Sequence, residues 1–439
     1  MSKLLTALIL VLLDLITLIS IFYISEFLRT NLQFFNIPHF DFIELNNFLF
    51  VFVIIILLFT YEKIYIQRFD FWQESLKIFK VLFVSFLLVF TILALAKNNL
   101  YYSRTFIVIF FVLTFIFLPI EKRLVKKILF KFDFFKEKYC IFDNSNSAKR
   151  LQQELKSNWY LGAKSCKKDD INYNKVIVTS ENKSIDELNN LIDSISNKKE
   201  LYIVPYLTNI NFASSYIIEY SNIRLNSVYV QNRLYIKHNI YIKNFVEKLL
   251  ILIALPLLLI LHICILSLIK IDSKGSIFFK QKRLGKDGKV FFVYKYRTMF
   301  EDSNKILNNY LQKHPEEIEY YKKYHKYKND PRITKIGKFL RKTSLDELPQ
   351  IINILKGEMS LVGPRPYMLE EIKDLKDNKN IILKVKPGIT GLWQVSGRND
   401  LTFEERLNLE KWYIKNWSLW MDFVILVKTI KVVIKRNGK

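Results

Sequence analysis

Cysteine is rare in this 439-residue chain, with three residues, Cys140, Cys166 and Cys264. They have no metal-ligand spacing, and an odd, scattered set gives no disulfide framework. The soluble parts therefore suit a reducing cytoplasm. Histidine is also sparse: His39, His238, His262, His314 and His325 form no cluster, which leaves a zinc site or a histidine-based triad without support. Glycine is limited to 11 residues. The turn Asp143-Asn144-Ser145-Asn146-Ser147 has none where a dinucleotide-binding domain needs glycine to admit the pyrophosphate. Asp143 would also repel phosphate there. Acidic residues are outnumbered, 41 against 66 Lys and Arg, for a formal charge of +25. Such a field favours nucleic acid, acidic lipid headgroups or phosphorylated substrates.

What the chain has in abundance is apolar sequence. Hydrophobic residues make up 51% of it, yet 24% of residues are charged, as in membrane segments joined to polar domains. Apolar runs cover about 4–28, 45–61, 78–96 and 105–120. Each is near the ~20 residues that cross a bilayer as a helix. The first is too long for a signal peptide, lacks a small-residue cleavage site and precedes three similar runs. Lys63, Arg68 and Lys77 lie between the second and third runs, and Lys122, Arg123, Lys126, Lys127 and Lys131 follow the fourth. The other loops carry fewer cations, so four spans with both ends inside are expected. Membrane segments and the absence of a basic stretch interleaved with stacking aromatics disfavour a nucleic-acid partner.

From about residue 137 to 207, strand-like and helix-like pieces alternate. Segments 139–142 and 175–179 read as buried strands, and 148–156 and 184–195 as amphipathic helices. The alternation predicts a small Rossmann-like α/β domain with a parallel sheet, structural or regulatory in role. A fifth apolar run, 249–269, contains Pro256 and has basic flanks on both sides, from Lys243 to Arg283. Proline bends a helix, and both flanks prefer the cytoplasm. A helix that enters the membrane, breaks and returns satisfies both facts; an ordinary kinked span is the alternative. The predicted architecture is a membrane protein, α plus α/β: transmembrane region 1–130, α/β domain 131–236, and a mixed α/β catalytic domain 237–439 with the re-entrant helix.

Glycine and proline gather after residue 330, and there the chemistry is expected. In Arg341-Lys-Thr-Ser-Leu-Asp-Glu-Leu-Pro-Gln350, Pro349 predicts a helix starting near Leu348. Asp346 and Glu347 would stand at its N-terminal mouth, where backbone N–H groups and the dipole favour anions. An ionised Asp can attack phosphorus, and a neighbouring Glu can hold Mg2+ beside substrate phosphates. The alternative is a capping box, Ser344-x-x-Glu347. Cations surround the pair in sequence: Lys295 and Arg297 share a face of a strand-like segment, and Arg365 and Arg398 sit in tight turns. Arginine's planar fork suits phosphate. The tail, Trp412 to Val427, suits either an amphipathic helix on the inner leaflet or packing on the core.

Together these strings resemble the bacterial sugar transferase family, the monotopic phosphoglycosyl transferases. They are Lys295-Tyr-Arg-Thr-Met299, Thr343-Ser-Leu-Asp-Glu-Leu-Pro-Gln350, the segments 357–366 and 386–399, and Asn416-Trp-Ser-Leu419. The resemblance covers about residue 244 to the end, and the four spans with the α/β domain resemble its long form. It implies that Asp346 attacks the sugar-linked phosphate of a UDP-sugar and releases UMP, and that Glu347 ligates Mg2+. Undecaprenyl phosphate would then receive the hexose-1-phosphate, galactose or glucose by the wording of the 391–399 segment. It also implies Arg341, Arg365 and Arg398 as phosphate binders, the bacterial inner membrane as location with the soluble domains cytoplasmic, membrane lipids as partners and a homodimer. Lys243-Asn244 with Glu247, Leu255 before Pro256, and Glu410 depart from the family's usual residues. A catalytically silent scaffold for polysaccharide assembly is the competing reading, and the adjacent carboxylates count against it.

Overall fold

A computed structural model of the chain describes residues 2–31, 44–95, 103–141, 145–165, 175–181, 183–184, 187–188, 200–205, 216–220, 225–229, 232–318, 327, 330–397 and 401–434. The chain divides into two compact units, Met1–Leu207 and Thr208–Lys439.

The first unit opens with helices α1 (Ser2–Asn31), α2 (Leu45–Tyr61), α3 (Phe71–Leu95) and α4 (Arg104–Leu129). Three of them, and the later helix α6, are long and apolar enough to cross a membrane; α2 is a shorter apolar helix. Helices α3 and α4 run beyond the apolar runs because charged residues at their ends find partners inside the unit. Lys126 meets Glu74 at 2.5 Å and Lys122 meets Asp14 at 2.6 Å, both pairs almost wholly buried. Tyr65 donates to Asp14 as well, at 2.7 Å. Unpaired charges there would be costly. The bundle interior is aromatic, with Phe22, Phe48, Phe52, Phe106 and Phe110 buried against one another.

Strands β1 (Glu137–Ile141), β2 (Ala163–Ser165), β3 (Lys175–Thr179) and β4 (Glu200–Val204) form an all-parallel sheet in the order β2-β1-β3-β4. Helix α5 (Asn146–Ser157) follows β1, close to the expected 148–156. The expected helix 184–195 falls mostly outside the described residues. The mouth of α5 is not open to a phosphate. Glu181, itself buried, accepts the Ser147 N–H at 2.7 Å, and the Ser145 side chain caps Ala148 N. A protein carboxylate thus stands where a dinucleotide would place its pyrophosphate.

In the second unit an antiparallel pair, β5 (Tyr216–Tyr220) and β6 (Leu225–Tyr229), precedes α6 (Lys237–Asp272). Helix α6 keeps one helical course across Pro256. Both of its flanks are built into the same unit. At the first, Lys243 is buried between Asp422 (2.5 Å) and Glu247 (2.8 Å), and Glu247 accepts from the Ser360 hydroxyl at 2.6 Å. The unusual Glu247 therefore keeps an anchoring ion pair at this helix. At the second, Ile265 and Ile269 pack on Tyr296 and Leu340, and Asp272 accepts from Ile336 N. Between the flanks the apolar residues stay exposed, Ile253 at 69% and Leu257 at 70% among them.

The hairpin β7 (Phe278–Leu284) and β8 (Val290–Tyr296) carries the site from one side. Helices α7 (Ser303–Lys313), α8 (Lys335–Thr343) and α9 (Ile351–Leu355) follow. Parallel strands β9 (Ser360–Val362) and β10 (Gly388–Thr390) enclose the short α10 (Lys379–Ile382). Short α11 (Leu392–Val395) and helices α12 (Phe403–Asn416) and α13 (Leu419–Ile434) close the unit. A capping box starts α12, Thr402 with Glu405. Helix α13 leaves Phe423, Val427 and Ile430 exposed on one stripe, the amphipathic tail the sequence suggests.

Candidate active site

Asp346 and Glu347 lie inside a 3-10 turn, Leu345–Gln350, not before a helix starting at Leu348. The cause is at Ser344, which ends α8 with a left-handed backbone, φ +57. The chain turns sharply there and restarts in a tight coil before α9. The capping-box geometry is not formed: Ser344 makes no side-chain cap bond, and Glu347 instead accepts from Lys295 Nζ at 2.6 Å.

Two devices hold this turn against β8. Asn353, wholly buried on α9, donates to Phe292 O at 2.7 Å and accepts from Tyr294 N at 3.2 Å. On the other side Gly337 lets α8 press onto the chain at Thr298: a Cβ at residue 337 would stand 2.1 Å from Thr298 O. That approach brings Arg341 to Thr298, whose hydroxyl accepts from Arg341 Nε at 2.8 Å.

The result is a cleft of about 620 Å³ lined by Lys295, Arg297, Arg341, Asp346 and Glu347 together with polar neighbours such as Gln281 and Thr298. Five of the seven residues expected from sequence thus meet in one cavity. Burial pushes the Asp346 carboxyl up to about 6, and the Glu347 charge adds to the rise, while Lys295 and Arg341 pull it down. Arg297 is nearly buried, and Nη2 donates to Ser273 O at 2.7 Å. Its Nε and Nη1 have no hydrogen-bond partner among the described residues. The guanidinium is thereby fixed at the cleft wall with two buried donors unsatisfied. Gly275, at φ +115, makes the fit: a Cβ there would lie 2.2 Å from Arg297 Nη1.

Arg365 is placed beside the cleft, not in its lining. Its guanidinium faces Glu371 at 3.7 Å, and its N–H donates to Glu410 at 2.8 Å. Glu410 also accepts from the Tyr367 hydroxyl at 2.5 Å. Burial raises that carboxyl to about 7, against the pull of these donors. Glu410, one of the family departures, therefore serves the turn that carries Arg365. Arg398 lies outside the described residues. The residue that sequence reasoning passed over is Arg283, buried on β7 between Glu371 (4.0 Å) and Gln281, to which it donates at 2.8 Å. Burial and nearby Arg365 lower its pKa, while Glu371 and Glu347 act against them. Five cations lie from Lys270 to Arg283, and composition cannot single out the buried one.

A membrane protein with paired carboxylates in a cationic cleft, on a chain whose anion-binding helix mouth is already filled, fits a transferase acting on phosphorylated substrates. Comparison with known proteins agrees. A family model described as bacterial sugar transferase matches residues 238–436. An uncharacterized sugar transferase of Haemophilus influenzae is 34% identical over 412 residues, 85% of either chain. An undecaprenyl-phosphate galactose phosphotransferase of Salmonella typhimurium is 32% identical over 408 residues, 85% of this chain and 84% of its own. A UDP-glucose:undecaprenyl-phosphate glucose-1-phosphate transferase of Klebsiella pneumoniae is 39% identical over 195 residues, 42% and 37% of the two chains. The chain belongs to the bacterial sugar transferase family and is an enzyme of the phosphoglycosyl transferase class.

Proposed function

We propose that the enzyme transfers hexose-1-phosphate, from UDP-galactose or UDP-glucose, to undecaprenyl phosphate by a two-step displacement at Asp346. The observation that carries this reading is the placement of Asp346 beside Glu347 in a cleft with three cationic side chains. An Asp346 oxygen attacks the phosphorus that bears the sugar. The bond from that phosphorus to the UMP oxygen breaks, and UMP leaves with the electron pair. The lipid phosphate oxygen then attacks the same phosphorus and expels the Asp346 carboxylate. Lys295, Arg297 and Arg341 face the charge that builds up on phosphate oxygens. The galactose and glucose assignments rest on what the Salmonella and Klebsiella relatives are named for.

The donor set fits Mg2+. Asp346 and Glu347 are hard oxygen donors on one turn, and among the described residues no larger group of His, Cys, Asp and Glu gathers. That suits an ion that takes one or two protein carboxylates and fills its shell with phosphate oxygens and water. Mg2+ there would supply charge neutralisation of the diphosphate. Glu347 would hold it, with Lys295 keeping that carboxylate aimed into the cleft. On this reading Glu347→Gln shifts the Mg2+ titration to higher concentration; an unchanged titration rejects the role.

The same reading places the protein in the bacterial inner membrane, with its soluble parts in the cytoplasm. Cations crowd the loop between α2 and α3 and the end of α4. Helix α6 is continuous over 36 residues, so a return requires a bend, and Pro256 is where its backbone ladder lacks a hydrogen bond. One globular unit grips both of its flanks, which favours entry and return over a simple crossing.

Membranes carrying the chain should release UMP from one UDP-hexose in the presence of undecaprenyl phosphate and Mg2+. No release from any UDP-sugar would favour the scaffold reading. The pH profile follows from Asp346. Its carboxyl must be ionised to attack, and its pKa is raised to about 6. The rate of UMP release is expected to be flat above pH 7 and to fall about tenfold per unit well below pH 6. A flat profile down to pH 5 would contradict an Asp346 nucleophile in that environment.

A further inference from the structure

A second cavity, about 270 Å³, adjoins the cleft and has the opposite character. Leu345, Leu348, Ile351, Ile389, Val395 and Val432 supply its walls. Ser344 and Glu347 line both cavities. The 3-10 turn explains the junction: it presents Asp346 and Glu347 to the cleft, while Leu345 and Leu348, one turn apart, face the groove. Those leucines also pack against the cluster formed by Ile265, Ile269, Tyr296 and Leu340. The far wall is α13, whose outer stripe of Phe423, Val427 and Ile430 is exposed. The groove therefore runs along α13 and ends at the turn that carries the carboxylates, with Glu347 in its lining.

An occupant must carry an apolar chain and an anionic group at one end of it. A nucleotide sugar has no such chain. Taking the proposed reaction as given, we propose that this groove holds the first isoprene units of the lipid phosphate acceptor and so delivers its phosphate to Asp346. The residues that select the acceptor would then be separate from those that bind the nucleotide.

The test uses the full chain in membranes and separates the two half-reactions. Val432→Trp fills the groove without touching the cleft. Ile430→Trp, on the outer stripe, is the control. Without acceptor, both variants are expected to give the wild-type burst of UMP. With undecaprenyl phosphate, Val432→Trp should raise the acceptor KM by about tenfold or more, since a few methylene groups lose their burial. Ile430→Trp should leave it unchanged. An unaltered acceptor KM in Val432→Trp would overturn the proposal. Should Val432→Trp lose the burst, wild type labelled with a photoreactive prenyl phosphate decides instead. Crosslinks in 389–395 or 429–433 support the groove, and crosslinks confined elsewhere overturn it. A photoreactive phospholipid that labels these segments and resists displacement by undecaprenyl phosphate would also overturn it, as a bilayer acyl chain would then be the occupant. A wild type with no burst would reject the reaction, and the prenyl labelling would still decide the groove.

Discussion

Asp346→Asn should lower transfer by about 10⁴-fold or more, the scale seen when a covalent nucleophile is removed. The amide keeps the side chain's size and its place on the 3-10 turn, so the fold and the cleft should persist. What it loses is the charged oxygen that forms the bond to phosphorus. UDP-sugar binding should survive, because Lys295, Arg297 and Arg341 remain in the cleft. Removing one carboxylate from a pair could even tighten binding of the anionic donor. The check is a pair of measurements on one preparation: UMP release, expected to vanish, and UDP-sugar affinity, expected to be kept or improved. Loss of both would mean that Asp346 holds the pocket together. Retention of turnover would mean that another group attacks.

Lys243→Met should be the most damaging change away from the chemistry. Lys243 is buried among Asp422, Glu247 and the Tyr413 hydroxyl, and Asp422 also accepts from Trp417 Nε1 at 2.9 Å. Methionine keeps the apolar stem and removes the charge. Two carboxylates would then be left buried without their cation, at a cost of about 3–5 kcal/mol. For a unit of this size that corresponds to a fall in Tm of roughly 10 °C. Thermal unfolding in detergent reads it. Adding Asp422→Asn should recover part of the loss, since the stranded charge is then gone. A Tm within a degree or two of wild type would show that the cluster does not anchor α6.

The membrane helices were legible in the sequence because their signal is long and uninterrupted: runs of 16 to 25 residues leave little choice of structure. The cleft was legible in its members, since Lys295, Arg297, Arg341, Asp346 and Glu347 stood in strings dense with cations, glycine and proline. Its geometry was not. Ser344 adopts φ +57 with no glycine or asparagine to announce it, so Pro349 pointed to a helix start that the chain replaces with a 3-10 turn. Capping and metal binding by Glu347 share one sequence pattern, and the structure bears only on the first, since Glu347 meets Lys295 and forms no cap. Arg365 sits in a rigid turn as expected, yet its direction is set by Glu371 and Glu410, residues up to 45 positions away. Arg283 and Asn353 depend on packing between strands and helices distant in sequence, for which local pattern carries no signal. The filled mouth of α5 was half legible: the missing glycines argued against a dinucleotide, and the structure shows Glu181 accepting from the Ser147 N–H there.

The most direct test is to mix the enzyme with its UDP-hexose and Mg2+, omit the lipid acceptor, quench in acid and weigh the intact chain and its peptides. A mass increase of one hexose phosphate, on the peptide containing Asp346 and absent from Asp346→Asn, is the expected result. An unmodified chain that still turns over once undecaprenyl phosphate is added would contradict it, and would mean that the sugar phosphate passes to the lipid in a single displacement.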